Sequence, residues 1–177
     1  MWNTLSRMLH TGLLTEPLPN GSDTQPMLAG PPTEALQQNL LGIMGHALCI
    51  RHVDAGSCNG CELEIQALGN PYYNIEGAGI KFVASPRHAD LLLVTGPVSV
   101  NMEEALRRTY EAMPEPKMVI ALGDCAVCGG VFGSSYASRG GVANIIPVNK
   151  MVAGCPPSPS AILGGILDLI RLVADKA

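Results

Sequence analysis

The amino-acid sequence predicts an α/β fold: a flavodoxin-like, doubly wound and mostly parallel sheet with helices on both faces. Two observations support this prediction. Short apolar runs recur along the chain without alternating polar residues, as expected for strands that are buried on both faces. Helical patterns separate several of these runs, and this alternation is typical of parallel strands joined by crossover helices.

Five strands are predicted from these runs. Glycine or proline follows each of the first four runs closely, so the sequence marks where each strand ends. Pro147 lies inside the fifth run and marks it as an edge or irregular strand, because proline lacks the N–H group that a sheet requires. In chain order the predicted strands are residues 49–54, 79–84, 90–95, 118–122 and 145–148.

Three helices are predicted between and after the strands. A short helix at residues 61–68 follows the first strand. The clearest helical pattern covers residues 101–113, where Asn101 can act as the N-cap and Glu104 follows three residues later. A closing helix at residues 160–174 has one apolar face, and several prolines precede it, at positions where a helix tolerates proline.

The first 45 residues differ in composition from the rest of the chain. They contain five prolines and a single basic residue, Arg7. We predict that residues 1–45 form an arm or linker and that residues 46–177 form one domain. A helical apolar face is predicted in the arm, formed by Trp2, Leu5, Leu9 and Leu13. This face either packs on its own domain or docks on a partner or a membrane surface.

The composition indicates a subunit with extensive interfaces. Hydrophobic residues make up 47% of the chain and charged residues 15%, whereas an average globular domain has about 25% charged residues. The net charge of −4 argues against binding to nucleic acid. The apolar run at residues 40–50 falls short of the roughly 20 residues of a membrane span. Because the start lacks a secretory pattern, we expect a cytoplasmic protein.

Five of the six cysteines follow predicted strands at the same end of the sheet. The sixth, Cys49, lies at the start of the first strand. In a reducing compartment such cysteines are more often metal ligands or catalytic groups than disulfides. Ligands of doubly wound sheets bind beyond the carboxyl ends of the strands. The five residues at this end are Cys58, Cys61, Cys125, Cys128 and Cys155.

Three kinds of site remain open on this spacing. A thioredoxin-like redox pair needs only Cys58 and Cys61 and leaves the other cysteines without a role. A structural zinc site would use this pair together with Cys125 and Cys128, and it leaves Cys155 unexplained. A [4Fe–4S] cluster also needs four thiolates, and the glycines near the cysteines could bring backbone N–H groups close to its sulfurs.

Four stretches of the sequence resemble one family in the family's own order. They are GSCNGCELEI, SPRHADLLLVTGPV, MPEPKMVIALGDCAVCGG and NIIPVNKMVAGCPPSPSAILGGILDLI. They are similar to the small subunit of group 4 membrane-bound, energy-converting [NiFe] hydrogenases, of the formate hydrogenlyase and hydrogenase-4 type. They also resemble the related 20 kDa iron–sulfur subunit of respiratory complex I. The resemblance covers about residues 47–173 and leaves the N-terminal arm aside.

The resemblance implies one [4Fe–4S] cluster beside a large catalytic subunit. The family's motifs are Cys-x-x-Cys, Gly-x-Cys-Ala and Gly-Cys-Pro-Pro, which implies Cys58, Cys61, Cys125 and Cys155 as the cluster ligands. Cys49 and Cys128 would then be small buried hydrophobic residues. Complex I subunits have adjacent cysteines in the first motif. The separation of Cys58 from Cys61 by two residues therefore favours the hydrogenase branch.

The resemblance also implies a role and a set of partners. The chain would relay electrons between a [NiFe] large subunit and a ferredoxin-like subunit, while antiporter-like membrane subunits hold it at the cytoplasmic face of the inner membrane. It would carry the cluster but no catalytic NiFe site. Two alternatives remain. The chain could belong to a complex I-like or nickel-less oxidoreductase, or it could be a zinc-stabilised structural subunit.

Two carboxylates follow the second cysteine, at Glu62 and Glu64. Close to a buried cluster, such groups could have raised pKa values and pass protons. The alternative is that they form an acidic first turn of a helix, where the helix dipole favours negative charge.

Overall fold

A computed structural model describes residues 40–174 of the chain. Its core is a five-stranded sheet in which every pairing is parallel. The strands are β1 (Leu48–Asp54), β2 (Ile80–Phe82), β3 (Leu91–Thr95), β4 (Met118–Leu122) and β5 (Lys150–Val152). The helices are α1 (Gly60–Ala67), α2 (Val100–Glu111), α3 (Asp124–Cys128) and α4 (Pro159–Ala174). Short 3₁₀ turns occur at Pro86–His88 and Val142–Asn144.

The spatial order of the strands is β2-β1-β3-β4-β5. This is the flavodoxin-like order, and it confirms the predicted fold class. From β1 the chain moves outward to the edge strand β2 and then crosses to β3 on the other side of β1. The direction of winding therefore reverses between β1 and β3, which is where doubly wound sheets bind their ligands.

Helices cover both faces of the sheet. On one face α1 and α4 pack on the strands, with Ile65, Ile162 and Ile166 in the core. On the other face α2 and α3 contribute Leu106 and Ala126. Every residue of β3 and β4 is buried, which explains why these strands appear in the sequence as uninterrupted apolar runs.

The predicted fifth strand is wrong. The structure forms β5 at Lys150–Val152, whereas residues 145–148 follow a 3₁₀ turn. Ile146 is only 4% exposed because it packs into the core beside α2. The chain joins the sheet only after Pro147, where the Asn149 backbone N–H donates to the Val119 carbonyl and the Val119 N–H donates to Asn149 Oδ1 at 2.8 Å. The apolar run was thus a core-filling loop rather than a strand.

The predicted N-cap of the second helix is also wrong. Helix α2 begins at Val100, which leaves Ser99 in the cap position and Asn101 inside the helix. The Ser99 N–H donates to the Ala55 carbonyl at 2.8 Å, so pairing with the end of β1 fixes where the chain turns into the helix.

The division into an arm of residues 1–45 and a domain of residues 46–177 stays a prediction. The proposed docking helix of the arm lies outside the described residues. Among the residues that are described, 40–44 are helical, and Leu40 is buried in the core beside α4.

Candidate metal centre

Four cysteines line one cavity at the carboxyl ends of the strands. The cavity has a volume of about 140 Å³, and Cys58, Cys61, Cys125 and Cys155 form part of its wall. Cys58 and Cys155 are exposed, whereas Cys61 and Cys125 are half-buried. The structure therefore brings together the four cysteines that the family motifs select, at the surface of the domain.

Three connections carry these thiols. Cys58 lies in the loop after β1, and Cys61 lies in the first turn of α1. Cys125 is in the short helix α3 after β4, and Cys155 lies in the loop after β5. Because parallel strands end at the same edge of the sheet, residues far apart in sequence meet there.

Two aspartates hold the cysteine loops in place. Asp54 Oδ1 accepts hydrogen bonds from the N–H groups of Gly56 and Ser57, at 2.8 and 2.7 Å, which folds the loop that leads to Cys58. Asp124 Oδ1 accepts from the Gly154 N–H at 2.8 Å, and the Asp124 N–H donates to the Gly154 carbonyl at 2.9 Å. This reciprocal pair ties the loop of Cys125 to the loop of Cys155.

Glycines make room for the thiols. A Cβ atom at Gly123 would lie 2.7 Å from Cys61 Sγ, and one at Gly130 would lie 2.7 Å from Cys125 Sγ. Both glycines also have a positive φ, of 86° and 54°, which a side chain rarely adopts. The backbone thus closes around the sulfur atoms in a way that only glycine permits, and this cradle fits a bulky group bound by thiolates.

Burial and the neighbouring thiols disfavour the ionisation of Cys61 and Cys125. Burial, which is the largest cause, together with Glu62 and the other three cavity cysteines raises the pKa of Cys61 to about 11. The pKa of Cys125 is also raised, first by burial and then by Cys155 and Cys58. Four thiolates can share this cavity only if a cationic centre offsets their charge, as metal ions do when they bind thiols.

The remaining two cysteines lie outside this cavity. Cys128 is exposed, and its thiol donates to the Asp124 carbonyl at 3.2 Å, so the prediction that it is a buried hydrophobic residue is wrong. Cys49 is half-buried at the opposite end of β1. No group of three or more His, Cys, Asp or Glu residues within 40–174 is arranged to hold a single metal ion.

The two predicted relay carboxylates have different surroundings. Glu62 is only 9% exposed, and its Oε1 accepts a hydrogen bond from the hydroxyl of Thr95, at the end of β3. Because the Thr95 hydroxyl gives its single proton to Glu62, it accepts a hydrogen bond in its contact with His52. The donor is Nε2 of the His52 ring, at 2.9 Å. Glu62 Oε2 is buried without a partner among the described residues. Glu64 is half-buried, and the relay role of both carboxylates stays a prediction.

The sequence analysis missed Thr95 and His52. Thr95 is fully buried and is the only polar residue of an otherwise apolar strand, which was the available signal. Burial lowers the pKa of His52, while the negative charges of Glu62 and Asp54 act in the opposite direction. Thr95 and His52 together link β3 and β1 to Glu62, on the helix that carries Cys61.

The chain was compared with known families and proteins. Residues 58–169 match the family described as the 20 kDa subunit of NADH ubiquinone oxidoreductase. The chain belongs to this family. The matched region includes all four cavity cysteines.

Several relatives agree with this placement. A Pyrococcus furiosus protein named as a membrane-bound hydrogenase subunit is 48% identical over 76% of this chain and 81% of its own length. Formate hydrogenlyase subunit 7 of Escherichia coli is 39% identical over 85% of this chain, and the matched region covers 59% of that protein. One chain in a solved structure of an archaeal membrane-bound sulfane sulfur reductase superposes on this chain with a TM-score of 0.64 and is 35% identical to it. The match covers 73% of this chain and 71% of the reductase chain.

These matches confirm the resemblance that the four motifs indicated, and the chain is an oxidoreductase subunit of the hydrogenase and complex I type. None of the helices described within residues 40–174 is both long and apolar enough to cross a membrane.

Proposed function

We propose that this chain holds one [4Fe–4S] cluster through Cys58, Cys61, Cys125 and Cys155 and serves as an electron relay. The relay would run between a [NiFe] hydrogenase-type large subunit and a ferredoxin-like subunit. The observation that carries the proposal is that these four cysteines, from three separate connections, line one cavity at the reversal point of the sheet.

The chain's own residues fit this role. A bound cluster would supply one-electron chemistry between two charge states. The four thiolates would hold it, and the cradle at Gly123 and Gly130 leaves space around the sulfur atoms. Exposure of Cys58 and Cys155 leaves one side of the site open to a partner. This opening supports the proposal, because a relay must be approached closely by the groups with which it exchanges electrons.

An exposed apolar loop beside the site supports a partner there. Val131 and Tyr136 are 95% and 99% exposed, in the segment that follows Cys125 and Cys128. The loop is ordered by its own hydrogen bonds, including one from the Ser138 hydroxyl to the Gly133 carbonyl at 2.9 Å. Exposed apolar patches of this kind mark protein interfaces. We propose that the large subunit covers it.

The relatives' names motivate the wider assembly. Two curated relatives are named as subunits of a membrane-bound hydrogenase and a formate hydrogenlyase. We therefore propose that this chain is peripheral, at the cytoplasmic face of the inner membrane, and is held there by antiporter-like or complex I-like membrane subunits.

A second candidate is a redox complex without nickel. It is motivated by the 35% identity, over similar shares of both chains, to a chain of a complex that is named a membrane-bound sulfane sulfur reductase and not a hydrogenase. The nickel content of the purified complex distinguishes the two. Nickel at about one ion per large subunit supports the hydrogenase, and its absence supports the second candidate.

The relay itself is tested by separating chemistry at nickel from electron transfer. In the purified complex, Cys155→Ala should abolish hydrogen-driven reduction of an external dye. Exchange between D₂ and water protons should continue, because it needs no electron relay. The matched control is Cys128→Ala, which removes a thiol outside the cavity and should leave both activities unchanged. Dye reduction at the wild-type rate in Cys155→Ala would contradict the relay.

A further inference from the structure

A second and larger cavity lies beside β1 and shares no lining residue with the cysteine cavity. Its volume is about 320 Å³. It exists because β2 is short: the last paired residue, Phe82, faces Ile50, so no strand of the described part of the chain lies beside the later half of β1 on that side. Ile65 and Gln66 of α1 form part of the opposite wall.

The cavity contains a cation that has no partner among residues 40–174. Arg51 is half-buried, its Nε atom is buried, and no hydrogen-bond acceptor within residues 40–174 reaches that atom. Arg51 also takes part in none of the ion pairs formed in the described part of the chain. The other nitrogens of this half-buried side chain are not both buried and unpaired, but a buried N–H group without an acceptor is unfavourable. The cavity therefore lacks an acceptor for this N–H group, and because a guanidinium group stays charged in proteins, an anionic acceptor complements it best.

The nearby carboxylates of the chain do not fill this role. Asp54 accepts the N–H groups of Gly56 and Ser57, and Glu62 accepts the Thr95 hydroxyl. Glu76 lines the same cavity but is exposed and forms no ion pair with Arg51 in the structure.

Part of the rim of the cavity is apolar and exposed, beside the exposed polar residues Gln66 and Glu76. Phe82 lines the cavity and is 41% exposed, and Leu63 is 57% exposed. Leu63 lies three residues before Gln66 on α1, so both are on the same face of the helix. An apolar rim that continues onto the surface is suited to a protein segment rather than to a small ion, which would leave Leu63 and Phe82 in water.

We infer that the Arg51 cavity receives an Asp or Glu side chain from an apolar segment of a partner subunit. A carboxylate can form two parallel hydrogen bonds with a guanidinium group, and Arg51 is the unpaired cation at this site. The inference rests on the proposed function only in that the chain works within a multi-subunit complex. It needs neither the cluster nor nickel.

Zero-length cross-linking tests this contact in the complex purified through a tag on this chain. Arg51→Lys keeps the positive charge and supplies an amine, which a water-soluble carbodiimide couples to a carboxylate in contact with it. We expect an amide bond between position 51 and an Asp or Glu of a partner subunit, located by mass spectrometry. The matched control is Arg108→Lys, because Arg108 pairs with Glu104 within α2 at 2.7 Å and should yield only an intrachain link.

The remaining outcomes overturn the inference. A link from position 51 to Glu76 would show that the chain pairs this cation internally. No link at position 51, while the Arg108→Lys control reacts and Arg51→Leu retains the partner as the wild type does, would show that no partner carboxylate pairs with this cation. Iron content measured on the same samples separates this result from a failure of the proposed function.

A second variant covers the case in which lysine is too short to reach the partner. Arg51→Leu should weaken retention of the partner by about tenfold or more in a salt-wash series. The full chain alone should remain at least as stable, because the change removes a buried N–H group that has no acceptor among residues 40–174. Unchanged retention of the partner would contradict the inference.

Discussion

The two cavities beside β1 are built differently. The cysteine cavity is enclosed by loops, and its glycines and aspartates hold four thiols in position. The Arg51 cavity lies between a helix and an unpaired strand edge, and it has one cation and an apolar rim. The two cavities also differ in the partner that we propose for each. Four thiolates in the first would require a cationic centre such as a metal cluster, and the second would receive a carboxylate.

The largest effect is expected from filling the cysteine cradle. In Gly123→Ala the new Cβ would lie 2.7 Å from Cys61 Sγ, and the residue would have to keep a φ of 86°. We expect most of the iron to be lost, as measured by iron content per chain after anaerobic purification.

Gly133→Ala is the matched control for this change. Gly133 also has a positive φ, of 54°, but no atom of the residues that the structure describes lies within 4 Å of its Cβ position. It should cost only backbone strain of about 1 kcal/mol and retain the iron. Equal iron content in the two variants would show that the cradle does not constrain the site.

A smaller effect is expected from Thr95→Val, which removes the hydroxyl between the two cavities. The variant keeps the shape of the side chain but leaves the buried Glu62 carboxylate without its donor. We expect the free energy of unfolding to fall by about 1–3 kcal/mol, as measured by urea denaturation.

Thr95→Ser keeps the hydroxyl and should restore most of this loss. If Thr95→Val is as stable as the wild type, the hydrogen bond to Glu62 contributes nothing to the free energy of folding.

The smallest effect concerns the pH dependence of stability at His52. Burial lowers the pKa of His52 in the folded state below its ordinary value of 6.5. The unfolded chain therefore binds a proton more readily, and stability should decline as the pH falls from above 6.5 through the folded pKa. Urea denaturation at pH 7.5 and at about pH 5.5 measures this decline.

His52→Gln should show a weaker decline than the wild type. The control is His88→Gln, which changes an exposed histidine in the 3₁₀ turn before β3. If His52→Gln and the wild type lose the same free energy of unfolding between these two pH values, His52 does not cause the decline.

Much of the fold could be predicted because burial leaves a direct pattern in the sequence. Strands β3 and β4 are buried on both faces and appear as apolar runs. The error at residues 145–148 has the same origin, because Ile146 is equally buried in a loop that fills the core. Apolar content reports burial and does not by itself distinguish a strand from a packed loop.

The two cavities also differ in how far the sequence could predict them. The cysteines could be predicted to meet because each follows a strand, and parallel strands end together. The Arg51 cavity could not be predicted, because it depends on β2 ending at Phe82 and on the position of α1 beside it. Contacts such as Thr95 with Glu62, 33 residues apart, likewise require the folded backbone.

The most direct test of the central claim is the iron, sulfide and zinc content of the anaerobically purified protein, together with EPR after reduction with dithionite. We predict about four irons and four sulfides per chain. We also predict an EPR signal on reduction that is lost in Cys155→Ala and kept in Cys128→Ala. Colourless protein that contains zinc in place of iron would contradict the claim and would make this chain a structural subunit.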